Sequence, residues 1–216
     1  VVGILSFLLA GCSTTGSSAK ETDPEVQEIS VSLPAELTTL DTTQTTDKVT
    51  FTVIQHLFEG SYRFDEKSQP VPGLAEEAVI SEDGKTYTFK LKEEAKWSDG
   101  QQVQAADFAY AWKKLVDPKT MGPNAYLLDN VVNSQDIREG KADIATIGLE
   151  TPDEKTFVVH LEQLQPSFLS VVSIGWLAPQ RQSYVEEKGK AYGKTSEDLL
   201  YTGPFILKDW QQTGAE

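Results

Sequence analysis

The chain has 216 residues, 39% of them hydrophobic and 24% charged, enough to bury a proper core and unlike a collagen, a disordered chain or a multispan membrane protein. Asp and Glu total 33 against 19 Lys and Arg, a formal charge of −14, so the basic footprint that nucleic-acid binding needs is missing. One cysteine, Cys12, and two histidines, His56 and His160, exclude a disulfide framework, a Cys-based zinc site and a histidine-rich metal centre.

Val1–Leu9 is an uncharged apolar run that gives way at Ala10-Gly11-Cys12 to a Ser/Thr/Gly tract. It is short of the roughly 20 residues of a membrane-spanning helix but has the length of the apolar centre of a secretory signal. The only methionine is Met121, so the sequence is expected to begin downstream of an initiator, with the basic start of that signal missing. From Ser13 to about Glu28 the chain is small and polar, then acidic at Glu21, Asp23, Glu25 and Glu28. That composition cannot repay the entropy of ordering and reads as a tether.

Glu28–Leu33 alternates Ile29, Val31 and Leu33 on one face, which predicts a strand stopped by Pro34. Val49, Val53, Leu57 and Phe58 then recur at helical spacing, with Thr46 or Asp47 as N-cap and a stop at Gly60. Glu82-Asp83-Gly84 reads as a hairpin turn leading into a strand with Tyr87, Phe89 and Leu91 on one face. Asp153–Leu161 repeats that plan with Phe157, Val159 and Leu161. Between them Phe108, Trp112 and Leu115 mark an amphipathic helix over Ala105–Val116, ended by Asp117-Pro118. Pro166–Ile174 fits either a buried helix or a strand, and Gly203–Trp210 predicts a strand entered from a Gly-Pro turn.

Catalytic parts are missing. There is no Gly-x-Ser-x-Gly, no His-Glu-x-x-His and no glycine-rich phosphate loop. His56 and His160 read as structural histidines, and the pairs Glu76-Glu77, Glu93-Glu94 and Glu186-Glu187 as solvated charge, since neighbours in sequence do not face each other across a sugar. Ser81–Gly84 lacks the alternating acids of a calcium loop. Trp112 belongs to an apolar helical stripe, and Trp97, before the Ser98-Asp99-Gly100 turn, reads as a plug at the edge of the core. No cofactor is expected.

Two groups of residues carry a resemblance. Leu9-Ala10-Gly11-Cys12 resembles the lipobox of bacterial lipoproteins, which implies cleavage before Cys12 and a lipid on its sulfur. Pro72–Glu76, Asp83–Lys92, Ala95-Lys-Trp-Ser-Asp-Gly100, Ala106–Trp112 and Asp117-Pro118 form one ordered string. With Leu40-Asp41, Leu57–Gly60, Thr156-Phe157 and Gly203–Trp210, it resembles the family-5 extracellular solute-binding proteins, the oligopeptide receptors of ABC importers.

The resemblance implies a mixed α/β (α+β) fold of the type II, periplasmic-binding-protein-like kind (class C), present only in its N-terminal portion. It divides the chain into a signal remnant (1–11), a tether (12–28), the first part of lobe I (29–59), an inserted packing subdomain (60–182) and the return to lobe I (183–216), without the opposing lobe. The implied protein is an extracytoplasmic monomer, anchored to the cell membrane through Cys12, that captures oligopeptides and passes them to permease and ATPase subunits, with no enzymatic activity. Thr46, Asp47 and Lys48 fall on the loop that pairs with peptide backbone in relatives, and Asn124 on a cleft position; their plain structural reading is a helix cap and a loop asparagine. The alternatives are a nickel, haem or sugar receptor of the same family, or an exported hydrolase or adhesin.

Overall fold

The computed structural model describes residues 28–210. Cys12, its lipobox and the tether up to residue 27 lie outside the described residues.

The first helix, α1, covers Lys48–Leu57. Asp47 is its N-cap, its carboxylate accepting the backbone N–H of Thr50 at 2.7 Å, the bond that satisfies an otherwise orphaned helix-end donor. Thr50, Ile54 and Leu57 form its buried face, and Val49 and Val53 pack alongside, half-buried. A short ribbon follows, β1 (Tyr62–Phe64) antiparallel to β2 (Pro70–Pro72).

The main sheet is built from β3 (Val79–Ile80), β4 (Thr86–Lys90), β5 (Leu149–Asp153) and β6 (Thr156–His160). They run antiparallel in the order β3-β4-β6-β5. The two look-alike units of the sequence, β4 and β6, therefore lie side by side, with Phe89 opposite Phe157 and Tyr87 opposite Val159. Alternation puts these four side chains on one face, where each is buried. Helix α2 covers that face over Ala105–Val116, the span the periodicity predicts. Trp112 meets the Phe157 ring edge-on at 5.0 Å while its Nε1 donates to the carbonyl of Leu177 at 3.0 Å. A buried indole is stable because its one polar atom is paired.

Helix α3 (Ser134–Arg138) lies between the sheet's two halves in sequence, and α4 (Phe168–Val172) and α5 (Gln182–Lys188) follow β6. The ambiguous Pro166–Ile174 run is thus helical at its centre. Two apolar clusters result. One gathers Phe89, Phe108, Trp112, Phe157 and Phe168 around the main sheet; the other joins Leu40, Ile54, Leu57 and Phe58 to Ala178, Val185, Tyr192 and Tyr201.

Two expected strands are corrected. Glu28–Leu33 forms no strand, and Ile29 and Val31 are exposed; Gly203–Trp210 is likewise without strand structure, with Phe205 and Ile206 exposed. Alternation supplies a face, but a strand also needs a neighbour for its backbone N–H and C=O groups, and among the described residues neither segment has one. The first helix also stops earlier than expected, at Leu57, where Phe58 turns extended.

Candidate functional site

The loop Asp41–Asp47 leads into α1, and polar bonds rather than strands hold it. Asp41 is 9% exposed. Its Oδ1 accepts from the Thr43 backbone N–H at 3.0 Å, the Thr43 hydroxyl at 2.7 Å and Gln180 Nε2 at 2.9 Å, and its Oδ2 accepts from Lys114 Nζ at 2.8 Å. Lys114 also donates to Gln180 Oε1 at 3.0 Å, and its ammonium sits 5.1 Å from the ring centre of Tyr192. Gln180 Nε2 reaches the Thr42 hydroxyl at 2.8 Å as well. Burial pushes the Asp41 carboxyl up, but Lys114 and the hydrogen bonds outweigh it and hold the group below its ordinary value. The same burial, with the Asp41 charge beside it, drives the Tyr192 phenol well above the usual range.

At the other end of the loop, Asn124 is 4% exposed and donates from Nδ2 to the Thr45 carbonyl at 2.6 Å. Gln44 Nε2 donates to the carbonyl of Thr120 at 3.1 Å. Thr46 and Lys48 are exposed and Asp47 half-buried. Among the described residues, neither backbone polar group of Thr46 has a hydrogen-bond partner. Burial raises the Asp47 carboxyl, but the hydrogen bonds from Thr50, together with those from the Asp47 and Val49 backbone, outweigh it and hold the group below its ordinary value.

The structure thus brings all four sequence-predicted positions to one place in two roles. Thr46 and Lys48 are presented outward, while Asp47 caps α1 and Asn124 ties the loop down. Sequence reasoning missed Asp41 as a buried anchor, together with Lys114 and Gln180. The available signal was the Leu40-Asp41 pair, an acid directly after an apolar residue, but its partners lie far along the chain.

Among the described residues no group of three His, Cys, Asp or Glu side chains could hold a metal, and no helix is long and apolar enough to cross a membrane. His160 is occupied on the sheet's outer face, between the Thr86 hydroxyl at 3.2 Å and Glu150 at 2.8 Å.

The sequence profile of the bacterial extracellular solute-binding proteins, family 5 (middle region), matches residues 69–215. The chain belongs to this family. Among curated relatives, the dipeptide-binding protein of Lactococcus lactis subsp. cremoris is 36% identical over 208 residues, covering 96% of this chain and 36% of that protein. Two solved structures superpose closely. The substrate-binding domain of an oligopeptide ABC transporter from Bacillus anthracis gives a TM-score of 0.80 at 40% identity, over 82% of this chain and 34% of that one. Peptide-bound OppA of Listeria monocytogenes gives 0.79 at 37%, over 82% and 35%.

The chain spans about a third of the length of these relatives. Over that part its fold is the mixed α/β, type II periplasmic-binding-protein-like one that family-5 membership implies. The family is one of extracellular solute-binding proteins.

Proposed function

We propose that this family-5 chain is part of an extracytoplasmic receptor that captures oligopeptides and delivers them to an ABC permease without transforming them. The observation that carries the reading is the exposed Thr46, whose backbone N–H and C=O are unpaired among the described residues. An extended peptide binds such an edge as an added strand, drawing affinity from main-chain bonds that every peptide shares. Peptide-bound OppA of Listeria, similar over 82% of this chain, supports the choice of ligand.

In this reading Thr46, Asp47 and Lys48 form the peptide-facing loop and Asn124 its floor. The two apolar clusters support the proposed division, residues 29–59 and 183–216 supplying most of the second cluster, with Ala178 added to it, and 60–182 most of the first, with Leu200 added to it. The receptor is a monomer held at the membrane by acyl chains on Cys12. Each buried methylene contributes about 0.8 kcal/mol, so two or three chains anchor it firmly.

Calorimetric titration of the whole open reading frame that encodes this chain, with di- to octapeptides, tests the ligand class. Saturable heat with peptides of varied sequence is expected. Heat with nickel, haem or a sugar and none with any peptide would transfer the protein to another branch of the family. Palmitate labelling in cells tests the anchor, and the label should disappear in Cys12→Ser.

A further inference from the structure

The loop before α1 is fastened at two points to a single helix and the chain that follows it. At its start Asp41 is bound to Lys114, in the last turn of α2, with Gln180 bridging both. At its end the Thr45 carbonyl is bound to Asn124, beyond the end of α2, and Gln44 to Thr120 in the same stretch. Thr42 and Thr43 are held in between, by Gln180 and by Asp41 itself. Immediately after the second fastening comes Thr46 with its unpaired backbone.

A buried ion pair is a poor source of net stability, because desolvation cancels most of its attraction. What it supplies is direction. Three donors converge on Asp41 Oδ1 and a fourth on Oδ2, and a carboxylate so surrounded accepts few other arrangements. A loop outside any sheet has no ladder to orient its backbone, so this orientation has to come from side chains.

We propose that Asp41–Lys114–Gln180 and Asn124–Thr45 form a two-point clamp that sets the Thr46 backbone at the angle an incoming peptide strand requires, with Lys114 and Asn124 as positioning residues. The proposal rests on the peptide-receptor reading and names the side chains that make its binding edge rigid. Lys114 does not touch the peptide in this scheme; it acts through Asp41. Asn124 acts through Thr45.

The test uses protein made from the whole open reading frame as wild type, Lys114→Met, Lys114→Arg, Asn124→Ala and, as a control for general destabilisation, Ile137→Val in the apolar cluster around the main sheet. Two quantities are read: amide hydrogen exchange across residues 43–49, and apparent affinity for a random-sequence pentapeptide pool. Losing a charge-assisted bond should speed exchange of the loop, but not of β4 or β6, by about tenfold in Lys114→Met and weaken pool binding by about tenfold. Asn124→Ala should shift both the same way by about fivefold, Lys114→Arg should recover most of the loss, and Ile137→Val should lower the melting temperature and change neither. Should Lys114→Met fail to fold, Asn124→Ala carries the test alone.

Loop exchange unchanged in both clamp variants overturns the clamp, whatever the peptide result. Faster exchange with pool affinity within about twofold of wild type overturns the positioning role. A wild-type protein that ignores every peptide in the pool is a different failure, seen before any variant is made; it sinks the receptor reading and the positioning role with it.

Discussion

The indole Nε1 of Trp97 donates to Oδ2 of Asp107 at 3.1 Å, the same oxygen that accepts the backbone N–H of Gln104 at 2.9 Å. One buried carboxylate thus caps the start of α2 and satisfies the polar atom of a tryptophan that closes the edge of the core. Burial pushes this carboxyl above its ordinary value of 3.8, the two donors and Arg181 pulling it back by less.

Replacing Asp107 therefore separates geometry from charge. Asp107→Ala leaves two donors without an acceptor and should cost about 2 kcal/mol, whereas Asp107→Asn keeps an acceptor and should stay within about 1 kcal/mol of wild type near neutral pH. The pH signature follows from the raised value. The folded state holds the proton more tightly than the unfolded chain, so the contribution of Asp107 is fully present below about 3.8 and is lost as pH rises through the folded value. Urea melts at acid and neutral pH should show wild type losing its advantage over Asp107→Asn as pH rises; a constant difference would contradict this.

Asp41 titrates with the opposite sign. Its folded value is lowered, so its stabilising contribution is present above its ordinary 3.8 and disappears as pH falls through the folded value. Asp41→Asn should lack that acid-side loss and should be less stable at neutral pH by about 3 kcal/mol, because Lys114 is left as a buried unpaired charge. Chemical denaturation across the same pH range measures both.

Gly193 holds the far side of this cluster. Its φ is +75°, and a Cβ there would stand 2.5 Å from the Asp41 backbone nitrogen, while its carbonyl accepts the Leu40 N–H at 2.8 Å. Gly193→Ala combines left-handed strain with a backbone clash and should cost about 2 kcal/mol or more. A melting temperature equal to wild type would contradict that expectation.

Phe157 is fully buried between the rings of Phe89, Phe108 and Trp112, at centroid distances of 6.2, 5.6 and 5.0 Å. Phe157→Ala should destabilise the chain by about 3–5 kcal/mol, the range for truncating a core aromatic. The check is a lower urea midpoint with an unchanged slope.

What the sequence determined by itself lies within a few residues of each position. The faces of β4 and β6 were legible because Tyr87 and Phe89 alternate with Thr and Lys and because Phe157, Val159 and Leu161 repeat that two-residue spacing after the same kind of turn, and α2 was legible from end to end because Phe108, Trp112 and Leu115 share a helical face and Asp117-Pro118 forbids continuation. The same reasoning went wrong at Glu28–Leu33 and Gly203–Trp210, where the pattern is as good but the described residues supply no strand to pair with. Only the tertiary structure decided that β4 and β6 are neighbours, and that Asp41 meets Lys114 and Gln180 while Asn124 meets Thr45. Periodicity is a property of adjacent side chains, whereas a hydrogen bond between residues 73 or 79 positions apart exists only once the core has packed and carried both partners to the same spot.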